Sequence, residues 1–115
     1  MRRVCLDCRE SYRATKAELV SLGRPSTRPG RVELMRGRGC PACGGTGYRG
    51  RVALFEVLML DEDLRELIAG GATTMEVHRA AVAAGMRPLR DDGIRLSLEG
   101  ITTLAEVNRV VGDRP

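Results

Sequence analysis

Cys5-Leu6-Asp7-Cys8 and Cys40-Pro41-Ala42-Cys43 are two C-x-x-C pairs separated by 31 residues. Two intervening residues let both sulfurs of a pair face one point, so each pair closes into a tight knuckle. Two knuckles together offer four soft thiolates, the donor set of a tetrahedral zinc site with Zn–S bonds of ~2.3 Å. Gly44 and Gly45 follow the second pair, and small residues there let the backbone turn back and aim amide N–H groups at the sulfurs. Arg9, Arg38 and Arg49 lie close by in sequence and would offset four thiolates that outweigh a divalent metal by two charges. Disulfides and thioredoxin-type thiols are the competing readings. The second needs one pair on a βαβ framework, and no such pattern is present. Cys5, Cys8, Cys40 and Cys43 are therefore expected to hold one structural Zn²⁺, with no open position for substrate.

Outward from the cysteines, the first lobe is turn-rich. Thr15-Lys16-Ala17-Glu18 has capping-box spacing and predicts a short helix to Leu22, stopped by Gly23. Arg24 to Gly30 holds two prolines and reads as a loop. Arg31 to Leu34 alternates like a strand, and Arg51 to Met59 is β-branched and aromatic enough for a second one. The simplest arrangement is a zinc-pinned antiparallel pair.

The second lobe reads as four short helices in a compact bundle. Asp61 is an N-cap for a stripe of Leu64, Leu67 and Ile68. Thr73 and Glu76 make a second capping box, Pro88 suits the first position of the next helix, and Thr103 and Glu106 make a third box. The whole is expected to be α+β, with a tetracysteine lobe at 1–59 and a helical lobe at 60–115.

Charge follows the same division. Residues 1–58 carry a balance of +7 and residues 59–115 one of −3, a change that points to lobes with different tasks. Aromatics are few: Phe55, Tyr12 and Tyr48 are all there are. A core this poor in large rings benefits from an extra staple. The longest apolar region, Val52 to Leu60, is interrupted by Glu56 and falls short of the ~18 residues a membrane span needs. Met1-Arg2-Arg3 leads into no signal-peptide core, so the chain reads as cytoplasmic, where paired cysteines suggest metal before disulfide.

Other chemistry-bearing residues give weaker signals. His78 is the only histidine, and nothing near it in sequence completes a dyad. Asp91-Asp92 fits a solvated face or an N-terminal charge bias better than a cation site. Gly44-Gly45-Thr46-Gly47 is no phosphate loop, because no G-x-x-x-x-G-K-S/T exists and the only lysine is Lys16. Arg36, Arg38, Arg49 and Arg51 lack the aromatic interleaving of a nucleic-acid surface. They suit ion pairs or contact with another part of a larger assembly. Neither catalytic nor nucleotide-binding residues are expected, and no nucleic-acid partner.

The order of motifs resembles a known family. Arg3-Val4-Cys5-x-x-Cys8, Glu18-Leu19, Leu22-Gly23 and Gly39-Cys40-Pro41-x-Cys43-x-x-Thr46-Gly47-Tyr48-Arg49-Gly50-Arg51 open the match. Phe55-Glu56-Val57-Leu58, Leu67-Ile68, Gly85-Met86-x-x-Leu89-x-x-Asp92-Gly93 and Gly100-x-Thr102-Thr103-x-x-Glu106-Val107-x-Arg109-Val110 continue it. Together they resemble the carboxy-terminal, zinc-binding region of the type II secretion and type IV pilus assembly ATPases. The resemblance implies a hexameric cytoplasmic ATPase that docks at an inner-membrane platform, with this region beside the motor domain and neighbouring subunits and without direct membrane insertion. The motor motifs of that family lie upstream of the cysteines, so only Cys5, Cys8, Cys40 and Cys43 carry over as site residues, and the chain by itself is expected not to be an enzyme. Cys40 to Gly47 also resembles one repeat of the zinc domain of Hsp40-type co-chaperones, but Cys5 to Cys8 lacks the glycines of that repeat. A nucleic-acid-binding zinc ribbon is the third alternative, favoured by the basic first lobe and not by the acidic second.

Overall fold

The computed structural model describes residues 1–28 and 30–112. In chain order the elements are β1 (Arg2–Val4), β2 (Arg9–Arg13), α1 (Lys16–Ser21), β3 (Glu33–Gly37), a 3-10 turn (Pro41–Cys43), β4 (Tyr48–Arg51), α2 (Glu62–Ala69), α3 (Thr74–Ala83), α4 (Leu89–Leu98) and α5 (Leu104–Val111). This is the α+β arrangement expected. The strands form two separate antiparallel pairs, β1 with β4 and β2 with β3. In the second pair Arg9 faces Gly37 and Arg13 faces Glu33.

Local signals set most helix starts. Thr15 accepts from the Glu18 amide and the Glu18 carboxylate returns to Thr15 N–H; Thr73 and Glu76 repeat the arrangement at α3. Asp61 caps α2 by accepting from Leu64 N–H. Two starts differ from expectation. Pro88 is the N-cap of α4 rather than its first helical residue, and the Leu89 amide that follows it is taken by the Glu56 carboxylate at 3.2 Å. At α5, Thr103 accepts from Glu106 N–H, but the Glu106 side chain does not return to it. It is turned instead to two arginines, which outbid one backbone amide for a carboxylate.

The strand expected over Arg51 to Met59 is displaced. β4 occupies Tyr48–Arg51, and 52–60 carries neither helix nor strand. Its composition suits a strand, but a ladder needs a neighbour, and among the described residues no strand pairs with 53–60.

The main core lies between the two halves of the chain. Ala14, Leu19, Leu22, Leu34 and Leu104 are buried together, with Tyr12, Val32, Ile94 and Leu98 packed around them. α4 and α5 form a hairpin seated on β3, while α2 and α3 form a second hairpin. Gly93 of α4 allows the first of these to close: a Cβ there would stand 2.8 Å from Cγ1 of Val107. The radius of gyration is 17.2 Å, well above the ~13 Å of a compact 100-residue domain. No helix among the described residues is long and apolar enough to cross a membrane.

Candidate metal centre

β1 ends at Val4 and delivers Cys5, fully buried, at the head of the first knuckle; Cys8 immediately precedes β2. Cys40 and Cys43 flank the 3-10 turn between β3 and β4. The two sheets therefore hold one knuckle each side of a common point. The four Sγ atoms all lie within 4.8 Å of one another. Cys5 to Cys40 is 3.8 Å, Cys8 to Cys43 3.9 Å, and Cys40 to Cys43 3.7 Å. A tetrahedron with ~2.3 Å zinc–sulfur bonds has edges of ~3.8 Å, which these three separations match. No pair is a disulfide.

Backbone amides face the sulfurs, as the glycines led one to expect, although the donors are not Gly44 and Gly45. Gly39 N–H points at Cys8 Sγ (3.3 Å), while Cys40 N–H (3.3 Å) and Gly47 N–H (3.2 Å) both point at Cys43 Sγ. Burial alone would raise the Cys43 thiol. The amides of Cys40 and Gly47, with the thiols of Cys40 and Cys8, outweigh it and hold Cys43 at about 6. Cys8 goes the other way: burial, with the neighbouring thiols and against the Gly39 amide, pushes it up to about 12. Within the packed group Cys43 thus takes a negative charge readily while Cys8 resists one. A divalent cation relieves that resistance, since thiolate is the ligand form.

Two glycines that sequence reading passed over make the centre possible. A Cβ on Gly37 would stand 2.1 Å from the Gly47 carbonyl oxygen, and one on Gly47, where φ is +80°, would stand 2.5 Å from the Gly37 oxygen. The β3 end and the second knuckle touch backbone to backbone here. From that contact Gly47 both donates to Cys43 and accepts from Cys5 N–H at 2.9 Å. The contact joins residues ten apart, so no local pattern announces it.

The arginines mostly turn to carboxylates. Arg36 and Arg38 both reach Glu10, at 3.1 and 3.5 Å, and Arg49 reaches Asp7 at 3.6 Å. Arg36 also lies over the Tyr12 ring, 4.7 Å from its centroid. Among the described residues Arg51 has no carboxylate within ion-pair distance. His78 is exposed on α3 and does not join the cysteine group. Asp92 accepts from Phe55 N–H and from Arg95, and these bonds work against its burial to hold its carboxyl below the usual range.

A second polar group, missed in sequence, ties the knuckles to the helices. Glu106 of α5, its side chain fully buried, accepts from Arg2 N–H (2.7 Å), from the Arg2 guanidinium (3.0 and 3.1 Å) and from that of Arg109 (2.6 and 2.9 Å). Hydrogen bonds from Arg109 outweigh burial, those from Arg2 add to them, and the carboxyl is driven far below its usual range. Arg2 in turn lies over the Tyr48 ring at 4.2 Å, and Tyr48 Oη meets Thr103 Oγ1 at 2.6 Å. Arg90, also buried, donates to Asn108 Oδ1 and to the Gly112 carbonyl, both at 2.7 Å.

The geometry defines a tetracysteine knuckle unit, able in principle to hold a metal ion, clamped to a helical hairpin. Comparison with known proteins places it more narrowly. The profile of the family described as Type II/IV secretion system protein matches residues 1–109, and the chain belongs to that family. It is 40% identical over 107 residues to the type IV pilus assembly ATPase PilB of Thermus thermophilus, covering 93% of this chain and 12% of that protein. It is 42% identical over 110 residues to type II secretion system protein E of Pseudomonas aeruginosa, covering 96% and 21%. Against the type II secretion system ATPase E of Vibrio cholerae it is 39% identical over 112 residues, covering 96% and 21%. The chain thus spans about an eighth to a fifth of the length of these relatives.

Proposed function

We propose that this region is the carboxy-terminal zinc-binding module of a type II secretion or type IV pilus assembly ATPase, working in the cytoplasm. Cys5, Cys8, Cys40 and Cys43 hold one zinc ion in a closed four-sulfur site. The observation that carries the reading is the convergence of all four sulfurs within 4.8 Å, three of their separations standing at 3.7 to 3.9 Å, near the edge length of a zinc–thiolate tetrahedron.

When bound, such a metal supplies no reaction step; it fixes the two knuckles and hence both sheets. The module is then a rigid element of a larger motor. Its partners are the motor domain of the same ATPase and adjoining subunits of a hexamer, with an inner-membrane platform protein beyond. By itself it is not an enzyme. The 1–59 and 60–115 lobes divide the labour: one carries the metal, the other supplies helices, and Glu106 with Arg2 joins them.

Metal analysis of reduced, chelator-free protein tests the reading. One zinc per chain is expected, with Cys40→Ser losing it together with the amide protection of the first lobe. Protein free of zinc, or zinc retained after Cys40→Ser, would refute it.

A further inference from the structure

The segment from Ala53 to Leu60 is a long apolar stretch largely without cover among the described residues. Phe55 is 68% exposed, Val57 64% and Met59 78%, with Leu58 and Leu60 at 40% and 49%. Nothing in its composition suits a surface loop: Glu56 is its only charge, and neither glycine nor proline interrupts it. It lines one wall of a groove of about 600 Å³, whose other wall is the end of α3, the turn after it and α4 as far as Arg95.

Its register with β1 shows which side a further strand would take. Met1 donates to the Val52 carbonyl at 2.9 Å and Val52 N–H donates to Met1 O at 2.8 Å. The two residues therefore exchange both bonds, as an antiparallel hydrogen-bonded pair does, and β1–β4 continues to the first residue. Continued beyond it, the alternation of a strand would send the amides of Leu54, Glu56 and Leu58 toward the lane of β1 and those of Ala53, Phe55 and Val57 away from it. Phe55 N–H obeys this: it meets Asp92 Oδ2 of α4 at 3.0 Å. Glu56 is tied to the same helix start through Leu89 N–H. One edge of the segment is thus held against α4. Among the described residues the amides of Leu54, Glu56 and Leu58 have no acceptor, and neither do those of Ala53 and Val57; the first three fall on the side in line with β1.

We propose that this lane seats an antiparallel strand of the ATPase polypeptide, entering directly into β1, so that the module is joined to its motor by a continuous sheet. The inference rests on the secretion-ATPase reading for the identity of the strand. Its chemistry follows from the lane: an aliphatic, β-branched stretch, because the faces it must cover carry Phe55, Val57, Leu58 and Met59.

The test extends the protein at its amino terminus by eight designed residues of alternating Val and Thr, the length of Ala53 to Leu60, and reads amide exchange by NMR. Exchange at Leu54, Glu56 and Leu58 should slow by about tenfold or more, while Ala53 and Val57 stay fast. An extension with proline at alternate positions should protect nothing. The free Val/Thr peptide, added in trans to the unextended chain, gives the same readout should the fusion disturb folding. Protection at neither set, or at Ala53 and Val57 instead, overturns the proposal. So does protection of Leu54, Glu56 and Leu58 in the unextended chain that grows with protein concentration, which would make a second copy the occupant. Because the extension comes from no ATPase, its failure would refute the lane alone, whereas absence of zinc would refute the functional reading and leave the lane standing.

Discussion

Replacing Glu106 by Gln keeps the shape of the side chain and removes its charge. The carboxylate now receives five donors from Arg2 and Arg109; the Gln amide nitrogen is itself a donor and turns at least two of those contacts into clashes of like polarity. Removing one partner of a buried ion pair costs ~3–5 kcal/mol when the surviving charge stays dry. Here the survivors do not: the side chains of Arg2 and Arg109 are 44% and 58% exposed and can rehydrate. The cost falls to that of the lost charge-assisted hydrogen bonds, ~2–3 kcal/mol. At ~4 °C per kcal/mol for a domain of this size, the melting temperature should drop by roughly 8–12 °C. The assay is thermal unfolding followed by circular dichroism, with zinc saturating and its stoichiometry checked in both proteins. The sign of the pH dependence is also determined. The folded carboxyl lies below its unfolded value, so its contribution is complete above that value, ~4.3, and is lost only as pH falls through the depressed one. Between pH 8 and 5.5 the gap between the two proteins should therefore stay constant. A gap under about 2 °C, or one that changes within that window, would refute the carboxylate clamp.

Gly47→Ala should abolish zinc binding as measured by metal content, since its Cβ would meet the Gly37 carbonyl at 2.5 Å; Gly44→Ala, whose Cβ meets nothing within 4 Å, should keep the metal and cost only ~1–2 kcal/mol for a left-handed residue. Gly93→Ala should destabilise by ~1–3 kcal/mol in urea unfolding through its clash with Val107, although alanine favours the helix, and adding Val107→Ala should recover part of the loss. Arg36→Glu should unsettle the β2–β3 pair by breaking the contacts with Glu10 and Tyr12, seen as faster amide exchange there, whereas Arg51→Glu should leave the isolated chain's stability within ~0.5 kcal/mol of wild type.

How much of this was legible in the sequence depended on the range of the interaction. The knuckles and the caps of α1, α2 and α3 are contacts between residues three apart, and their residue types alone announce them. Glu106 shows where that logic stops. Its spacing from Thr103 fits a capping box, but Arg2, 104 residues away, claims the carboxylate, and no local pattern records a partner that distant. Gly37 and Gly47 were missed for the same reason, since a close backbone approach leaves only two glycines in two unrelated motifs. The run from Arg51 to Met59 is a different kind of failure. Strand composition reflects fitness for a pleated, half-buried surface more than any intrinsic preference of the backbone. Phe55, Val57 and Met59 carry that composition while standing in solvent, and the one hydrogen bond their side of the segment makes is the one a strand beside α4 would make. Sequence pattern and structure therefore disagree only about the neighbour, and a strand supplied along β1 would reconcile them without moving a residue of the metal centre.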